Sequence, residues 1–207
     1  AASRELNTWV YEQTKGILSA GKIAAVVGGD HSCPYGAFKA ASEHFPSFGL
    51  LHFDAHSDTR KAYEGFEFSH ASIIHNAMES FKNISHLVQI GIRDVCEDEM
   101  NYLHSLGTRA RAYTDRDLAR RKLDGVAFSS IVEEMITMLP QDVWVTFDID
   151  AFDPKLCPNT GTPVPGGLEF QEANLILGAV VRSGRRIIGF DLTEVAPAPN
   201  GEDDWDA

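Results

Sequence analysis

With 207 residues, 43% of them hydrophobic and 10% aromatic, the chain has enough apolar material for a packed core and too much to remain disordered. Its 18 Lys+Arg against 30 Asp+Glu leave a formal charge of −12, which argues against nucleic acid as a partner. No apolar run approaches the roughly 20 residues needed to cross a bilayer and no charged-then-apolar leader opens the chain, so a cytoplasmic location without a membrane partner is expected.

In chain order, the periodicity predicts a helix over 4–19, a strand over 22–27, a helix over 35–44 and a strand over 48–53. There follow a helix over 71–79, a strand over 86–90, a helix over 97–106 and a strand over 108–113. The last elements are a helix over 127–139, a strand over 142–147, a helix over 170–183 and a strand over 186–190. The strands are short, apolar and bounded by turn residues or charge, as in sheets buried on both faces. Gly21, Gly107 and Gly184 stand just past three helices, where a left-handed residue ends the hydrogen-bond ladder. This alternation, with no internal repeat, predicts one α/β domain over 1–207 with a mainly parallel sheet. Cys33, Cys96 and Cys157 are odd in number and far apart, so they are expected to be reduced, in neither a disulfide nor a thiolate metal site.

Polar clusters follow four of the strands: Gly28-Gly29-Asp30-His31-Ser32, Asp54-Ala55-His56-Ser57-Asp58, Asp148-Ile149-Asp150 and Asp191-Leu192-Thr193-Glu194. Ligands bind at the carboxyl ends of strands in open α/β sheets, so these clusters are candidates to share one crevice. Asp54, His56 and Asp58 are spaced i, i+2, i+4, which in an extended backbone sends all three to one side, and Asp148 and Asp150 repeat the i, i+2 step. With His31 the set comprises two imidazoles and four carboxylates. Such acids, gathered in one place, repel one another unless a cation of high charge sits among them. Six ligands serve a pair of ions about 3.5 Å apart when carboxylates bridge. Oxygen-rich ligation without thiolate favours Mn²⁺, with Zn²⁺, Co²⁺, Ni²⁺ or Fe²⁺ as alternatives. A calcium loop starting at Asp148 is excluded, because its required sixth-position Gly is Asp153 and its twelfth-position Glu is Asn159. Gly28-Gly29 lacks both the dinucleotide and the Walker pattern. His44, His52, His75, His86 and His104 have no ligand spacing, and surface or core positions are expected for them.

These motifs, with Ser69-His70, Phe147-Asp148-Ile149-Asp150-Ala151-Phe152-Asp153-Pro154, Gly161-Thr162-Pro163-Val164-Pro165-Gly166-Gly167 and Glu194-Val195, occur in an order that resembles the ureohydrolases, the arginase, agmatinase and formimidoylglutamase family. The resemblance implies a three-layer α/β/α sandwich and two Mn²⁺ per chain. It places the first ion on His31, Asp54, Asp58 and Asp148 and the second on Asp54, His56, Asp148 and Asp150. Two ions sharing a water would lower its pKa toward neutrality and so supply the nucleophile for the guanidinium carbon. Glu194 is similar in position to the family's guanidinium-binding glutamate, and His70 is the candidate donor of a proton to the leaving amine. Asp30, Asp153 and Asp191 look like residues that orient ligands or backbone. The resemblance also implies a homo-oligomer, a trimer or hexamer, and a fold incomplete at both ends.

The stretch from Thr59 to Ser69 lacks the Asn/Thr/Ser-rich loop usual in arginases, and Asp58-Thr59-Arg60-Lys61-Ala62-Tyr63-Glu64-Gly65 is similar to the agmatinase branch. The expectation is urea release from agmatine, giving putrescine, as part of polyamine metabolism. If Arg60 points into the cleft, it could pair with a substrate carboxylate, as guanidinobutyrate or formimidoylglutamate would require. Arginase activity, or a non-catalytic scaffold of the same fold, are the other readings.

Overall fold

The structure is a computed structural model that describes residues 2–199, 201 and 203–206. Its frame is a six-stranded, wholly parallel sheet. The strands are β1 (Ala24–Val27), β2 (Phe48–Phe53), β3 (Ile84–Ile92), β4 (Ala110–Thr114), β5 (Asp142–Asp148) and β6 (Arg186–Thr193), in the order β1-β6-β5-β2-β3-β4. Among the described residues seven helices flank them: α1 (Ala2–Ser19), α2 (Tyr35–His44), α3 (Ile73–Ser80), α4 (Glu97–Ser105), α5 (Asp115–Leu123), α6 (Phe128–Thr137) and α7 (Phe170–Arg182).

Two separate apolar cores show why the sequence layers this way. Phe48, Leu50, Leu87 and Trp144 point to one face, where Val10, Phe38, Ile74 and Leu103 from α1 to α4 meet them. Leu51, Phe53, Val88, Val143 and Val145 point to the other, against Leu118, Ile131, Met135, Ile176 and Val180 from α5 to α7. The two-residue alternation along each strand thus feeds two helical layers, completing the α/β/α sandwich. Every residue of β2 and β5 is buried, because these central strands are covered on both faces, whereas edge strand β1 alternates with solvent. The helices show their own period: α1 buries Val10, Thr14 and Leu18, and α7 buries Ala173, Ile176 and Val180. Gly21, Gly107 and Gly184 have φ of 70°, 59° and 82°, as their positions past helix ends require.

Three expectations shift. The strand predicted from 108 begins at Ala110, because Gly107–Arg109 forms a single 3₁₀ turn. The helix predicted from 71 is preceded by another such turn, His70–Ser72, so α3 starts at Ile73. Helix α5 has no counterpart among the predicted elements; it buries only Leu118 and is otherwise charged, so it carries almost no apolar stripe.

The order places the switch point between β2 and β5, where successive connections run in opposite directions, so the carboxyl ends of β1, β6, β5 and β2 lie side by side. Packing at that centre is tight: Gly189 of β6 pairs with Trp144 of β5, and a Cβ on Gly189 would overlap the indole ring. Gly189→Ala is expected to lower stability by about 1–3 kcal/mol, measured by urea unfolding; an unchanged midpoint would show that the ring can retreat.

Candidate metal centre

Each strand end contributes its own piece. The turn after β1 carries His31, β2 is followed by Asp54, His56 and Asp58, β5 ends on Asp148 with Asp150 in the next turn, and β6 is followed by Glu194. All six side chains expected to hold metal come together. His31 Nδ1 lies 3.0 Å from Asp54 Oδ2, 3.1 Å from Asp58 Oδ2 and 3.4 Å from Asp148 Oδ2. His56 Nδ1 lies 3.0 Å from Asp150 Oδ2 and 3.3 Å from Asp54 Oδ1. Asp54 therefore faces both groups through its two oxygens, as a bridging ligand would.

The convergence does not come from an extended backbone. Asp54 Oδ1 accepts the His56 N–H at 2.6 Å and Asp148 Oδ1 accepts the Asp150 N–H at 2.9 Å, so each i, i+2 step is closed by the acid's own side chain. Asp58 then adopts φ 54°, a conformation rare for a residue with a Cβ. Its carbonyl is held by the N–H groups of Ile74 and His75 at the start of α3. That reversal turns the Asp58 carboxylate toward His31 while His56 faces Asp150.

A further set of side chains fixes the ligands. His31 Nε2 lies 2.8 Å from Thr146 Oγ1, whose hydroxyl donates to Asp191 Oδ1 at 2.8 Å. The Thr146 oxygen thus accepts from Nε2–H, leaving Nδ1 directed at the acids. Asp191 is fully buried and also accepts from Trp144 Nε1 and the Phe147 N–H, in keeping with an orienting residue. Asp30 and Asp153 do something more local: Asp30 caps its own turn at Ser32, and Asp153 accepts the Lys155 N–H.

His52, placed from sequence on the surface or in the core, is a core residue with a role at the site. Gln89 Nε2 donates to its Nδ1 at 2.9 Å, so its Nε2 carries the proton and donates to Asp54 Oδ2 at 2.8 Å. Although His52, His31, Asp54 and Asp58 lie close enough to group around an ion, this bonding makes His52 an orienter of Asp54. Its position two residues before Asp54 in β2 was the available signal. Thr162 also anchors the site, donating to Asp150 Oδ2 at 3.2 Å.

The electrostatics follow from burial and crowding. Burial pushes Asp58 up to about 6 and Asp148 well above the ordinary carboxylate range, with Asp54 next to both reinforcing the rise. Burial opposes charge on the imidazoles too, yet the carboxylates around them prevail: His31 is held well above its usual value and His56 at about 11. Protons on these rings are what balance the acids. A donor set of hard oxygens and imidazole nitrogens, short of positive charge and free of thiolate, fits divalent cations.

Beside this cluster is a cavity of about 140 Å³ lined by His56, Asp58, Arg60, Tyr63, His70, Asp94, Glu99 and Thr162. His70 begins the 3₁₀ turn before α3, and Tyr63 packs edge-on against its ring, with centroids 5.6 Å apart. Glu194 lies at the end of β6, and its Oε1 accepts the His31 N–H at 2.9 Å. It has φ 61°, a strained conformation held by its own N–H to Gly29 O and by Thr160 Oγ1 to its carbonyl. Burial raises its pKa, against the opposing pull of that N–H and of the His31 charge.

Among the described residues, no helix is long and apolar enough to cross a membrane. The family described as "Arginase family" matches the chain over residues 2–204. N(1)-aminopropylagmatine ureohydrolase of Thermus thermophilus is 32% identical over 97% of this chain and 63% of its own length. Agmatinase of Proteus mirabilis is 35% identical over 97% of this chain and 61% of its own. The chain thus spans about three fifths of the length of these curated relatives. The solved arginase of Bacillus caldovelox superposes with a TM-score of 0.81 at 24% identity, covering 100% of this chain and 71% of that one, a likeness of fold. A sheet of this order, a matched family extending over nearly every residue and relatives named for guanidine chemistry lead to one conclusion: the chain belongs to the arginase family.

Proposed function

We propose that this chain is a metal-dependent hydrolase that releases urea from the guanidino group of a small cation, with agmatine the favoured substrate. The observation that carries the reading is the convergence of His31, Asp54, His56, Asp58, Asp148 and Asp150 beside a cavity that also presents His70. One ion is assigned to His31, Asp54, Asp58 and Asp148 and the other to Asp54, His56, Asp148 and Asp150, with Mn²⁺ as the expected metal. When bound, two such ions supply an acidified water for attack on the guanidinium carbon.

The chain's own residues do the rest. Glu194 has Oε1 committed to the His31 N–H and its backbone held by Gly29 and Thr160, and its carboxylate would bind N–H groups of a guanidinium. Its burial strengthens that attraction by excluding water. His70 lines the cavity beside the cluster and delivers a proton to the departing amine, its ring steadied by Tyr63.

The orientation of Arg60 bears on the substrate's far end. Its Nε lies 3.5 Å from Oε2 of the buried Glu99, and its guanidinium sits over the Tyr63 ring, 5.2 Å from the centroid. With that charge already matched, Arg60 is poorly disposed to hold a substrate carboxylate. Asp94, exposed at the cavity, offers a carboxylate that suits a terminal cation. A neighbouring space of about 700 Å³ shares Arg60 and Glu99 with the catalytic cavity, which favours as a second reading a longer polyamine tail, such as an aminopropyl extension. The reading as a homo-oligomer acting within the cytoplasm is part of the same proposal.

Assayed with Mn²⁺, the protein should release urea fastest from agmatine or its aminopropyl derivative, and more slowly from arginine and guanidinobutyrate. Formamide from formimidoylglutamate should be slowest. No product from any of the five would favour a non-catalytic scaffold. Asp148→Ala should reduce metal content from two ions per chain toward none and abolish turnover; elemental analysis showing two retained ions would remove Asp148 from its bridging position. Metal uptake must displace the protons held by His31 and His56, so Mn²⁺ affinity should rise steadily from about pH 5 to pH 8, with proton release seen by calorimetry in buffers of different ionisation enthalpy. Affinity independent of pH would contradict protonated rings as the charge balance of the site.

A further inference from the structure

The strand ends that supply metal ligands are β1, β2 and β5, yet the residue with the most hydrogen bonds at the site follows β3. Arg93 is half-buried, and every hydrogen bond its guanidinium makes goes to a backbone carbonyl. Nε donates to Val164 O at 3.1 Å. Nη2 donates to Asp150 O at 2.8 Å, Val164 O at 2.9 Å and Phe152 O at 3.0 Å. Nη1 donates to Gly91 O at 3.1 Å and Ala151 O at 3.5 Å. Among the described residues it forms no ion pair, which is costly for a partly buried cation unless all its donors are used.

Its main chain completes the clamp. Arg93 N–H and Asp94 N–H both donate to Ala55 O, at 2.7 and 3.0 Å, and Ala55 N–H donates to Asp150 Oδ1 at 2.9 Å. The approach is close enough that Gly91, with φ 95°, would bring a Cβ to 3.0 Å from Asp54 O. One residue therefore grips the backbone just before His56, at Ala55, and from Asp150 onward, at Asp150, Ala151 and Phe152; His56 and Asp150 are the pair assigned to the second ion alone. It also ties that pair to the loop that carries Thr162 and Val164. His31 and Asp58, the pair assigned to the first ion alone, are held by Thr146 and by the start of α3 instead.

We infer that Arg93 is a positioning residue for the second metal position: it sets the backbone that presents His56 and Asp150, and does so selectively. The inference rests on the two-metal reading above. An arginine suits the task because its planar fork reaches several carbonyls in one plane at fixed angles, whereas a lysine has three donors at a single point. Its positive charge also faces carbonyl dipoles that would otherwise point at one another in a partly dry space.

The test uses the full chain with Mn²⁺ alone as the probe. Calorimetric titration of the wild type should resolve two uptake steps, and His56→Ala identifies which belongs to the second position. Arg93→Lys, which keeps the charge, and Arg93→Met should each weaken that step by roughly 10- to 100-fold, the usual scale for groups that orient ligands, and change the other step by less than about 3-fold. Electron paramagnetic resonance at two equivalents of Mn²⁺ should change from a coupled pair to an isolated six-line ion. Should Arg93→Met fail to fold, Arg93→Lys decides the matter. Equal weakening of both steps, or of neither, would overturn the selective role. Wild-type protein that takes up no Mn²⁺ would instead overturn the metal reading from which it starts.

Discussion

Four buried carboxylates, Asp54, Asp58, Asp148 and Asp150, stand at the ends of adjacent strands, and their mutual repulsion is the constraint around which the rest of the molecule is arranged. In water four such charges would be a minor matter. Beneath the surface, burial and the neighbouring Asp54 charge push Asp58 and Asp148 upward, while Asp54 itself, despite burial, is held well below the ordinary carboxylate range by the imidazoles bonded to it. The protein's own cations at this spot are imidazoles, and these hold their protons tightly for the same reason. Divalent ions held by these residues would replace those protons with more charge per unit volume and so relieve the repulsion further.

Holding repelling groups together requires that the backbone be fixed by something other than the acids' attraction for one another. The parallel sheet supplies part of this, since β5 is locked by parallel ladders to β2 on one side and β6 on the other. The remainder comes from departures from regularity. Asp54 and Asp148 cap their own turns, and Asp58 and Glu194 adopt left-handed conformations secured by hydrogen bonds from outside the cluster. Strain of this kind costs about 1–3 kcal/mol per residue and persists because the two apolar cores, one on each sheet face, outweigh it.

Much of this was legible in the sequence because it depends on patterns with a fixed period. Strands β2 and β5 are continuous apolar runs, and α1, α6 and α7 repeat their apolar residues at helical spacing. The six metal-ligand candidates were legible for another reason: acids and imidazoles directly after buried strands have few other uses. What escaped were features that period cannot report. Helix α5 buries only Leu118, and its signals are a cap and a dipole: Thr114 accepts the Asp117 N–H, acids open the first turn and Arg120, Arg121 and Lys122 close the last. His52 looked like one more strand residue, because its meaning lies in Gln89 on the adjacent strand. Arg93 gave no signal at all, since all of its partners are backbone carbonyls and these are the same in every sequence. The residues picked out by the i, i+2 spacing do converge, but by a different geometry, with capped turns and a reversal at Asp58 in place of an extended segment.

The two halves of the cluster are built differently, and the difference has a direction. His31 is wholly buried and fixed by a chain of side chains running through Thr146 to Asp191 and Trp144, deep in the sheet. His56 has 24% of its side chain exposed, lines the cavity and depends on main-chain bonds around Ala55 and Asp150. The cavity is thus lined by His56 from the second half and Asp58 from the first, with Tyr63, His70 and Thr162 around them, while His31 lies wholly buried behind. An arrangement of this kind separates two demands that conflict in a single site. The inner imidazole is fixed by buried side chains, whereas the outer one opens on the cavity and takes its geometry from its backbone, which Arg93 grips from the end of β3.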